Sequence, residues 1–236
     1  MADDPNLTLL ARCPLFAGVL PDDLRDVARH LRLRRFRRGE VIFHQGDPGD
    51  ALHIVASGSV KIVLPSPEGD EAIIATVHAG DFFGELALLD GAPRSATAAA
   101  VEVTDTLSLP RDTFLEEIGR SASLRDVLLR SIAGELRRLT GHVEELHFLD
   151  LAGRLASRLV RLAREADPVP QRTPNGALEA TLDWPFTQSD LAAMIGATRQ
   201  SVNRLLSDLV ERGLIRIDRD TLVITDLERL ERLAAR

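Results

Sequence analysis

The chain has 236 residues, of which 44% are apolar and 28% are charged, and its formal net charge is −7. This length suits one large domain or two smaller ones, and the apolar fraction is enough for a buried core. A single cysteine, Cys13, excludes an internal disulfide and any metal or iron–sulfur site built from several cysteines. The acidic start lacks a signal-peptide core and no apolar run has the length of a membrane span, so we expect a cytoplasmic protein without membrane contacts.

The charge is unevenly distributed along the chain. Residues 150–236 contain 13 arginines and 13 acidic residues, so the acidic excess lies entirely in residues 1–149. An acidic protein is a poor candidate for binding nucleic acid as a whole. A neutral second part can still present a basic face if its arginines cluster.

The first third of the chain changes from helical to β-type patterning. Residues 7–31 have apolar residues at helical spacing, with a helix start at Pro21. Five arginines follow within residues 32–38, and this cluster is either a nucleic-acid-binding patch or the solvated edge of a strand. From 39 to 109, short β-rich runs alternate with glycine-containing turns, which indicates an all-β barrel or jelly roll.

Residues 82–97 combine a glycine, a carboxylate, a short apolar turn, an arginine and a serine. Gly84 permits close backbone approach to a phosphate, and Arg94 supplies a fork of hydrogen-bond donors. Glu85 can accept a hydrogen bond from a sugar hydroxyl. The segment is a candidate phosphate- and sugar-binding loop. The alternative is a polar turn in which Glu85 and Arg94 form an ordinary ion pair.

A long helix is predicted from about 123 to 147, because apolar residues recur alternately three and four positions apart. This heptad seam consists of Leu129, Ile132, Leu136, Leu139, Val143 and Leu146. One helix cannot bury such a seam by itself. It packs either on its own barrel or against the same helix of a second copy across a two-fold axis, and the narrow stripe favours the dimer.

The last part of the chain has the pattern of a helix-turn-helix. Asp150 can cap a helix over 151–166, and the proline-containing residues 167–176 are expected to form a loop. Thr187 with Asp190 predicts a capped first helix, Gly196 supplies the turn, and Thr198 caps the second helix. Two apolar runs, at 214–217 and 221–224, predict a hairpin like that of a winged helix.

The second helix of this motif is predicted to have two faces. The apolar side chains Val202, Leu205, Leu206 and Leu209 form the inner face. The outer face carries Arg199, Gln200, Asn203 and Arg204, which are residue types that contact base edges and phosphates in a major groove. Together with the wing, this pattern favours DNA binding over a purely structural helical hairpin.

These motifs, in this order, resemble the cyclic-AMP receptor protein / fumarate-nitrate regulator (CRP/FNR) family of bacterial transcription factors, from about residue 14 to 224. The resemblance implies an α+β protein with three parts. Residues 1–122 would form a cyclic-nucleotide-binding, jelly-roll-like β-roll, 123–149 a dimerisation helix and hinge, and 150–236 a winged helix-turn-helix. Residues 148–154 are similar to the family's hinge between the sensor and DNA-binding domains.

The resemblance also implies roles for single residues in the sensor part. Glu85 would accept the ribose 2′-hydroxyl, while Arg94 and Ser95 would hold the cyclic phosphate together with the backbone at Gly84 and Leu86. Two adjacent positions of the long helix, which contact adenine in the cyclic-AMP receptor, are here Leu139 and Thr140. Thr140 retains the hydroxyl of the family pattern and Leu139 departs from it.

The resemblance likewise implies how the second motif contacts DNA. Arg199 and Arg204 match the family's guanine-reading and phosphate-contacting arginines. Gln200 replaces a glutamate of the family, so the half-site should differ at that base pair, because glutamine pairs best with adenine. The full set of residues expected at the DNA is Thr187, Gln188, Thr198, Arg199, Gln200, Ser201, Asn203 and Arg204.

The expected function is that of a homodimeric, ligand-gated transcription regulator on a palindromic operator, with RNA polymerase as a further partner. Its effector would be a nucleotide like cyclic AMP, and no cofactor, metal or catalytic residue is expected. Two alternatives stay open: a regulator of the same family that needs no effector, and a cyclic-nucleotide-binding module for an enzyme partner. Haem sensing would need a histidine ligand, but His44, His53 and His78 are in no recognisable ligand context.

Overall fold

The computed structural model describes residues 5–16, 19–66, 71–166, 171–173, 176–183, 186–218 and 221–234. The chain divides into two compact units, residues 1–138 and 139–236. Within the described residues, no helix combines the length and the apolar character needed to cross a membrane.

The first unit consists of a β-roll with helices on either side of it in the sequence. Its helical segments are α1 (Pro5–Arg12), a 3-10 turn (Pro14–Phe16), α2 (Pro21–His30), α3 (Leu86–Asp90), α4 (Arg111–Arg120) and the start of α5 (Ala122–Phe148). Its strands are β1 (Arg32–Phe36), β2 (Val41–Phe43), β3 (Ala51–Ser57), β4 (Ser59–Pro65), β5 (Glu71–His78), β6 (Phe82–Phe83), β7 (Thr97–Ala100) and β8 (Thr104–Pro110).

These strands form two four-stranded antiparallel sheets, in the orders β1-β8-β3-β6 and β2-β7-β4-β5. The predicted β-roll is therefore confirmed. Strand β1 lies at an edge of its sheet, and its first four residues, three arginines and one leucine, are exposed. Nε of Arg35 forms a salt bridge with a carboxylate oxygen of Asp105 at 2.7 Å. Three arginines of the cluster, Arg32, Arg34 and Arg35, thus lie on a solvated edge strand, and Arg37 and Arg38 follow in the connection to β2.

Two apolar clusters hold this unit together. The larger one joins the helices to β3 and β8, with Phe16, Leu52, Leu107 and Phe114 at its centre. The smaller one lies within the roll and consists of Val55, Val60, Val77, Phe83 and Ala98, with Ile42, Phe43 and Ile62 packed against it. Because side chains of a strand point alternately to its two faces, β3 contributes to both clusters.

The second unit is a winged helix-turn-helix, as predicted. Its elements are the end of α5, α6 (Leu151–Ala166), β9 (Gln171–Arg172), β10 (Leu178–Asp183), α7 (Gln188–Ile195), α8 (Arg199–Glu211), β11 (Ile215–Asp218), β12 (Thr221–Ile224) and α9 (Leu227–Ala234). The four strands form one antiparallel sheet in the order β11-β12-β10-β9. The hairpin β11–β12 is the expected wing.

Several elements differ from the sequence expectations. Part of the predicted loop at 167–176 is the strand β9, because its backbone pairs with β10; residues 167–170 and 174–175 lie outside the described residues. The helical segment at 7–31 contains two helices and a 3-10 turn, with residues 17–18 not described. The helices α4 and α9 were not predicted. Helix α4 has three apolar residues among its ten, whereas α9 has a leucine at every third position; Phe114 of α4 and Leu230 of α9 are fully buried.

Candidate functional site

Arg94 is the centre of the predicted phosphate-binding loop. Only 3% of this residue is exposed. Its Nη1 donates to the carbonyl oxygen of Gly84 at 2.7 Å, and its Nη2 donates to the carbonyl oxygen of Ala51 at 2.7 Å and to a carboxylate oxygen of Asp50 at 3.1 Å. Burial lowers the pKa of Arg94, and the neighbouring carboxylate of Asp50 opposes that shift. Its salt bridge is therefore with Asp50 rather than with Glu85, so the ordinary Glu85–Arg94 ion pair does not form.

One donor of Arg94 is not satisfied by the protein. Its Nε is buried and has no hydrogen-bond partner among the described residues. Leaving a buried donor unpaired costs about 1–3 kcal/mol, and more for a charged group. Of the three acceptors that Arg94 already has, only the carboxylate of Asp50 is well exposed, with 85% of its side chain accessible to solvent. The guanidinium itself is enclosed, with 2% of the Arg94 side chain exposed, so an anion from solvent contacts it only where the carboxylate of Asp50 gives way.

The backbone around Arg94 is held by two glycines. Gly84 has a φ of +85°, and a Cβ added there would lie 2.6 Å from Nη1 of Arg94. A Cβ on Gly49 would lie 2.6 Å from the Cβ of Ala87 in α3. The loop carrying Gly49 is tied to the other side of the site, because the amide of Arg94 donates to the carbonyl oxygen of Asp47 at 2.8 Å. A side chain at Gly84 would therefore displace the guanidinium of Arg94, and one at Gly49 would collide with α3.

Glu85 precedes α3 and is half-buried. Its pKa is raised above the usual carboxyl value, first by burial and then by the negative charge of Glu135 on α5, while Arg94 and Arg138 act in the opposite direction. A hydroxyl group that donates to this carboxylate would replace part of its lost hydration and favour the charged form. Glu85 is therefore a partly desolvated carboxylate that can accept a hydrogen bond.

The other predicted ligand residues are distributed between the two units. Leu86 and Ser95 are exposed beside Gly84, Glu85 and Arg94, so five of the seven predicted residues come together in the first unit. The other two, Leu139 and Thr140, lie on the exposed part of α5 that belongs to the second unit. Their contact with the base of a nucleotide remains a prediction.

The helix-turn-helix has the caps that the sequence predicts. The hydroxyl of Thr187 accepts from the amide of Asp190 at 3.1 Å, and the carboxylate of Asp190 accepts from the amide of Thr187 at 2.8 Å. Gly196 ends α7 in the left-handed conformation with a φ of +65°. The hydroxyl of Thr198 accepts from the amide of Ser201 at 3.2 Å and so caps α8. A helix whose end is fixed in this way is suited to presenting its first residues to a partner.

The two faces of α8 also follow the prediction. Val202, Leu206 and Leu209 are buried, while Leu205 is half-buried. Most of the predicted DNA-contacting residues are exposed, namely Thr187, Thr198, Arg199, Gln200, Asn203 and Arg204; Gln188 and Ser201 are half-buried. The exposed face therefore carries two guanidinium and two amide groups, which can donate to phosphates and to base edges.

Arginines on α6 link this helix to α7 and to the end of α5 within the second unit. Nη1 of Arg154 donates to the carbonyl oxygen of Ile195 at 2.8 Å, at the end of α7. On α5, Glu145 accepts from the hydroxyl of Ser157 at 2.8 Å and from Arg161. Burial opposes ionisation of Glu145, but the nearby His142 ring at 3.8 Å, the hydrogen bond from Ser157 and the charge of Arg161 lower its pKa overall. The predicted cap of α6 is present too, because Asp150 accepts from the amide of Gly153 at 2.8 Å.

The heptad seam of α5 is largely exposed in the single chain. Leu129 and Leu136 are 64% and 65% exposed, Leu139, Val143 and Leu146 are also exposed, and Ile132 packs against the larger apolar cluster. The alternative that the seam packs on its own β-roll therefore holds for Ile132 only. Exposed leucines repeated along one helix face are typical of a protein interface.

Sequence reasoning missed the surroundings of Arg94. It treated the glycine-containing segments between the β-rich runs only as turns and did not connect Asp50, in one of these segments, with Arg94, which is 44 positions away. It also missed Phe43, whose ring centroid lies 4.2 Å from the Cζ of Arg94. A signal for Asp50 was present in the two aspartates of the glycine-containing turn. None was available for Phe43, which has the appearance of an ordinary strand residue.

Two family models match the chain, one in each unit. A cyclic nucleotide-binding domain matches residues 33–121, and a Crp-like helix-turn-helix domain matches residues 153–233. The chain is 36% identical over 226 residues to a Mycobacterium tuberculosis protein named CRP-like cAMP-activated global transcriptional regulator, covering 96% of this chain and 98% of that protein. It is 33% identical to the cyclic AMP receptor protein of Thermus thermophilus, with 94% and 96% covered. A solved structure of TTHB099, a CRP-family transcriptional regulator from Thermus thermophilus, is 27% identical with a TM-score of 0.69, covering 86% of this chain and 97% of that one.

Proposed function

Because the chain belongs to the CRP/FNR family of transcription regulators, we propose that it acts as a homodimer whose binding to a palindromic operator is controlled by a cyclic nucleotide. The observation that carries this proposal is Arg94, a buried guanidinium beside a half-buried carboxylate, Glu85, in a cyclic nucleotide-binding domain. A cyclic nucleotide offers the two complementary groups, a singly charged phosphate and a ribose hydroxyl. The named relatives from Mycobacterium and Thermus are cyclic-AMP proteins, which supports cyclic AMP as the first candidate.

In this proposal the phosphate binds on the solvent side of Arg94. It displaces the exposed carboxylate of Asp50 from the guanidinium, and the opened side then lets the phosphate accept from the buried, unpaired Nε, while the two backbone carbonyls keep their bonds. Ser95 supplies a hydroxyl and Glu85 accepts from the ribose. By the family resemblance, Leu139 and Thr140 would lie at the base, and Thr140 would provide the one polar group of this pair.

The DNA-binding half of the proposal rests on the exposed face of α8. Arg199 donates to a guanine, Gln200 pairs with an adenine, and Arg204 contacts a phosphate. Selection of operators from random duplexes should recover a two-fold symmetric site, with adenine at the base pair that Gln200 contacts. Gln200→Glu should shift the preference there towards cytosine, because glutamate accepts from the cytosine amino group. An unchanged preference would show that Gln200 does not contact a base.

Dimerisation is proposed through the exposed leucines of α5. Two such helices side by side would bury Leu129 and Leu136 of both copies, and burying one leucine contributes about 1.5–3 kcal/mol. Analytical ultracentrifugation should give twice the chain mass for the native protein and the chain mass for Leu136→Glu. The matched control is Leu20→Glu, a leucine of similar exposure outside α5, which should remain dimeric. A native monomer would contradict the dimer.

The nucleotide is tested by calorimetric titration of the whole protein with cyclic AMP and with cyclic GMP. We expect saturable binding of at least one of them, and loss of that binding in Arg94→Gln. No binding of either nucleotide would instead favour a regulator of the same family that works without an effector. Two observations make that second function worth testing: three protein acceptors already occupy Arg94, and Leu139 stands at a position where the resemblance expects a hydroxyl.

If the regulator is active in the cell, RNA polymerase is the expected further partner. A module that controls an enzyme would have no need of a capped helix with exposed Arg199 and Arg204, so this function is less well supported.

The mechanism that we propose is a two-state one, in which the nucleotide binds one arrangement of the helix pair and hinge better than the other. The favoured arrangement would set the two recognition helices about one DNA turn apart.

A further inference from the structure

Three rings lie together inside the β-roll, beneath the guanidinium of Arg94. His53 and Phe83 are stacked, with centroids 5.3 Å apart and 18° between their planes. Phe43 is tilted against both, at 5.8 Å from Phe83 and 6.0 Å from His53. The rings come from three strands, β2, β3 and β6, so their mutual position is set by the pairing of the sheets. Neither the helix-turn-helix nor the ribose-binding carboxylate explains this cluster.

The guanidinium lies on the outermost of these rings. Its Cζ is 4.2 Å from the centroid of Phe43, within the range of a cation–π interaction. The same ring closes the space under Gly84, because a Cβ on Gly84 would come within 3.4 Å of its Cε1. The ring therefore limits the guanidinium from below, while the carbonyl oxygens of Gly84 and Ala51 fix it at its edges.

His53 suits this position only as a neutral ring. It is 7% exposed, and its Nδ1 lies 3.3 Å from the hydroxyl of Thr106. Burial and then the positive charge of Arg94 lower its pKa to about 4, while Asp50 acts in the opposite direction. At neutral pH the ring is therefore uncharged, stacks on Phe83 and does not repel the cation above Phe43.

We propose that Phe43, supported by the stacked pair of His53 and Phe83, is a positioning residue that holds the guanidinium of Arg94 ready for the phosphate of the nucleotide. This inference rests on the proposed function, since it needs an anion at Arg94. An arginine that is already fixed loses little side-chain freedom when the phosphate binds. The entropy cost of binding is therefore lower and the affinity is higher. Without the aromatic ring, the two carbonyl oxygens still hold the edges of the guanidinium but its face is unsupported, so part of the ordering takes place at the moment of binding.

The test is the affinity of the full-length protein for cyclic AMP, measured by calorimetry together with thermal unfolding. Phe43→Leu keeps an apolar side chain of similar reach and removes the aromatic face, and it should weaken binding by about tenfold. Phe43→Tyr restores that face and should stay within about twofold of the native protein. The matched control is Phe114→Leu, which truncates a fully buried phenylalanine in the other apolar cluster. It should lower the unfolding temperature with no more than about a twofold change in affinity.

The results separate the positioning role from stability and from the proposed function. Native affinity in Phe43→Leu would overturn the positioning role alone, and so would an equal loss of affinity in Phe114→Leu, because that would be an effect of stability. If the native protein bound neither cyclic AMP nor cyclic GMP, the proposed function would fail and this inference with it. A further readout is the pair of changes Phe43→Leu and Arg94→Lys. The fold-loss of affinity in the double variant should be smaller than the product of the fold-losses in the two single variants, since both changes act through one contact.

Discussion

Lowering the pH should destabilise the β-roll through His53. In the unfolded chain a histidine has a pKa of about 6.5, whereas burial and Arg94 lower the pKa of His53 to about 4. The unfolded state therefore binds more protons between these two values, and stability is lost as the pH falls from 6.5 towards 4. Linkage gives a loss of about 2 kcal/mol between about pH 7.5 and about pH 5. His53 is 7% exposed, so solvent screening reduces this figure little.

The measurement is urea unfolding of the whole protein at both pH values. Unfolding is monitored by hydrogen exchange of peptides from β3 and β8. These peptides report on the first unit by itself. Between these two pH values, the free energy of unfolding of His53→Phe should fall by about 2 kcal/mol less than that of the native protein, because the variant lacks the group that titrates. His44→Gln, a change at an exposed histidine, should behave like the native protein. Parallel pH profiles of the native protein and His53→Phe would refute the reasoning.

Two further changes test other parts of the account. Gly84→Ala should abolish nucleotide binding, because its Cβ would lie 2.6 Å from Nη1 of Arg94. The control is Gly80→Ala. Gly80 has a positive φ but open space around it, so this change should only reduce stability by about 1–2 kcal/mol. Calorimetry and thermal unfolding distinguish the two, and equal nucleotide affinities would contradict the close fit at Gly84. Glu145→Gln weakens the connection between α5 and α6, so it should leave nucleotide affinity unchanged and reduce the effect of nucleotide on DNA affinity severalfold. Glu144→Gln, on the exposed side of the same helix, should leave that effect intact in a fluorescence anisotropy titration.

The parts of the fold that sequence predicts well are those specified by neighbouring residues. The caps at Thr187 and Thr198 are local, since each hydroxyl bonds an amide three residues away. The extent of α5 follows from its repeat of apolar residues. The two faces of α8 follow from the same periodicity, and only Leu205 departs from the expected burial.

The parts that sequence did not predict depend on contacts between distant segments. Strand β9 has two residues and exists because β10 is there to pair with it. Helix α9 packs on α6 through contacts such as the pair Arg164–Glu231, which are 67 positions apart, although its leucines at every third position are a local helical signal as well. In the candidate site the same reason applies to Arg94. Its residue type was enough to suggest an anion, but its partner Asp50 and the ring of Phe43 become neighbours only when the sheets pair.

The central claim is that a nucleotide at Arg94 controls the DNA affinity of α8, and the most direct test is a ratio of two dissociation constants. Fluorescence anisotropy gives the affinity of the full-length protein for its selected operator, with and without saturating cyclic AMP. We predict binding that is about 5–150-fold tighter with the nucleotide, the range of a typical coupling between two sites. In Arg94→Gln the ratio should fall to about one while the nucleotide-free DNA affinity is kept. Equal operator affinity of the native protein with and without nucleotide would contradict the claim.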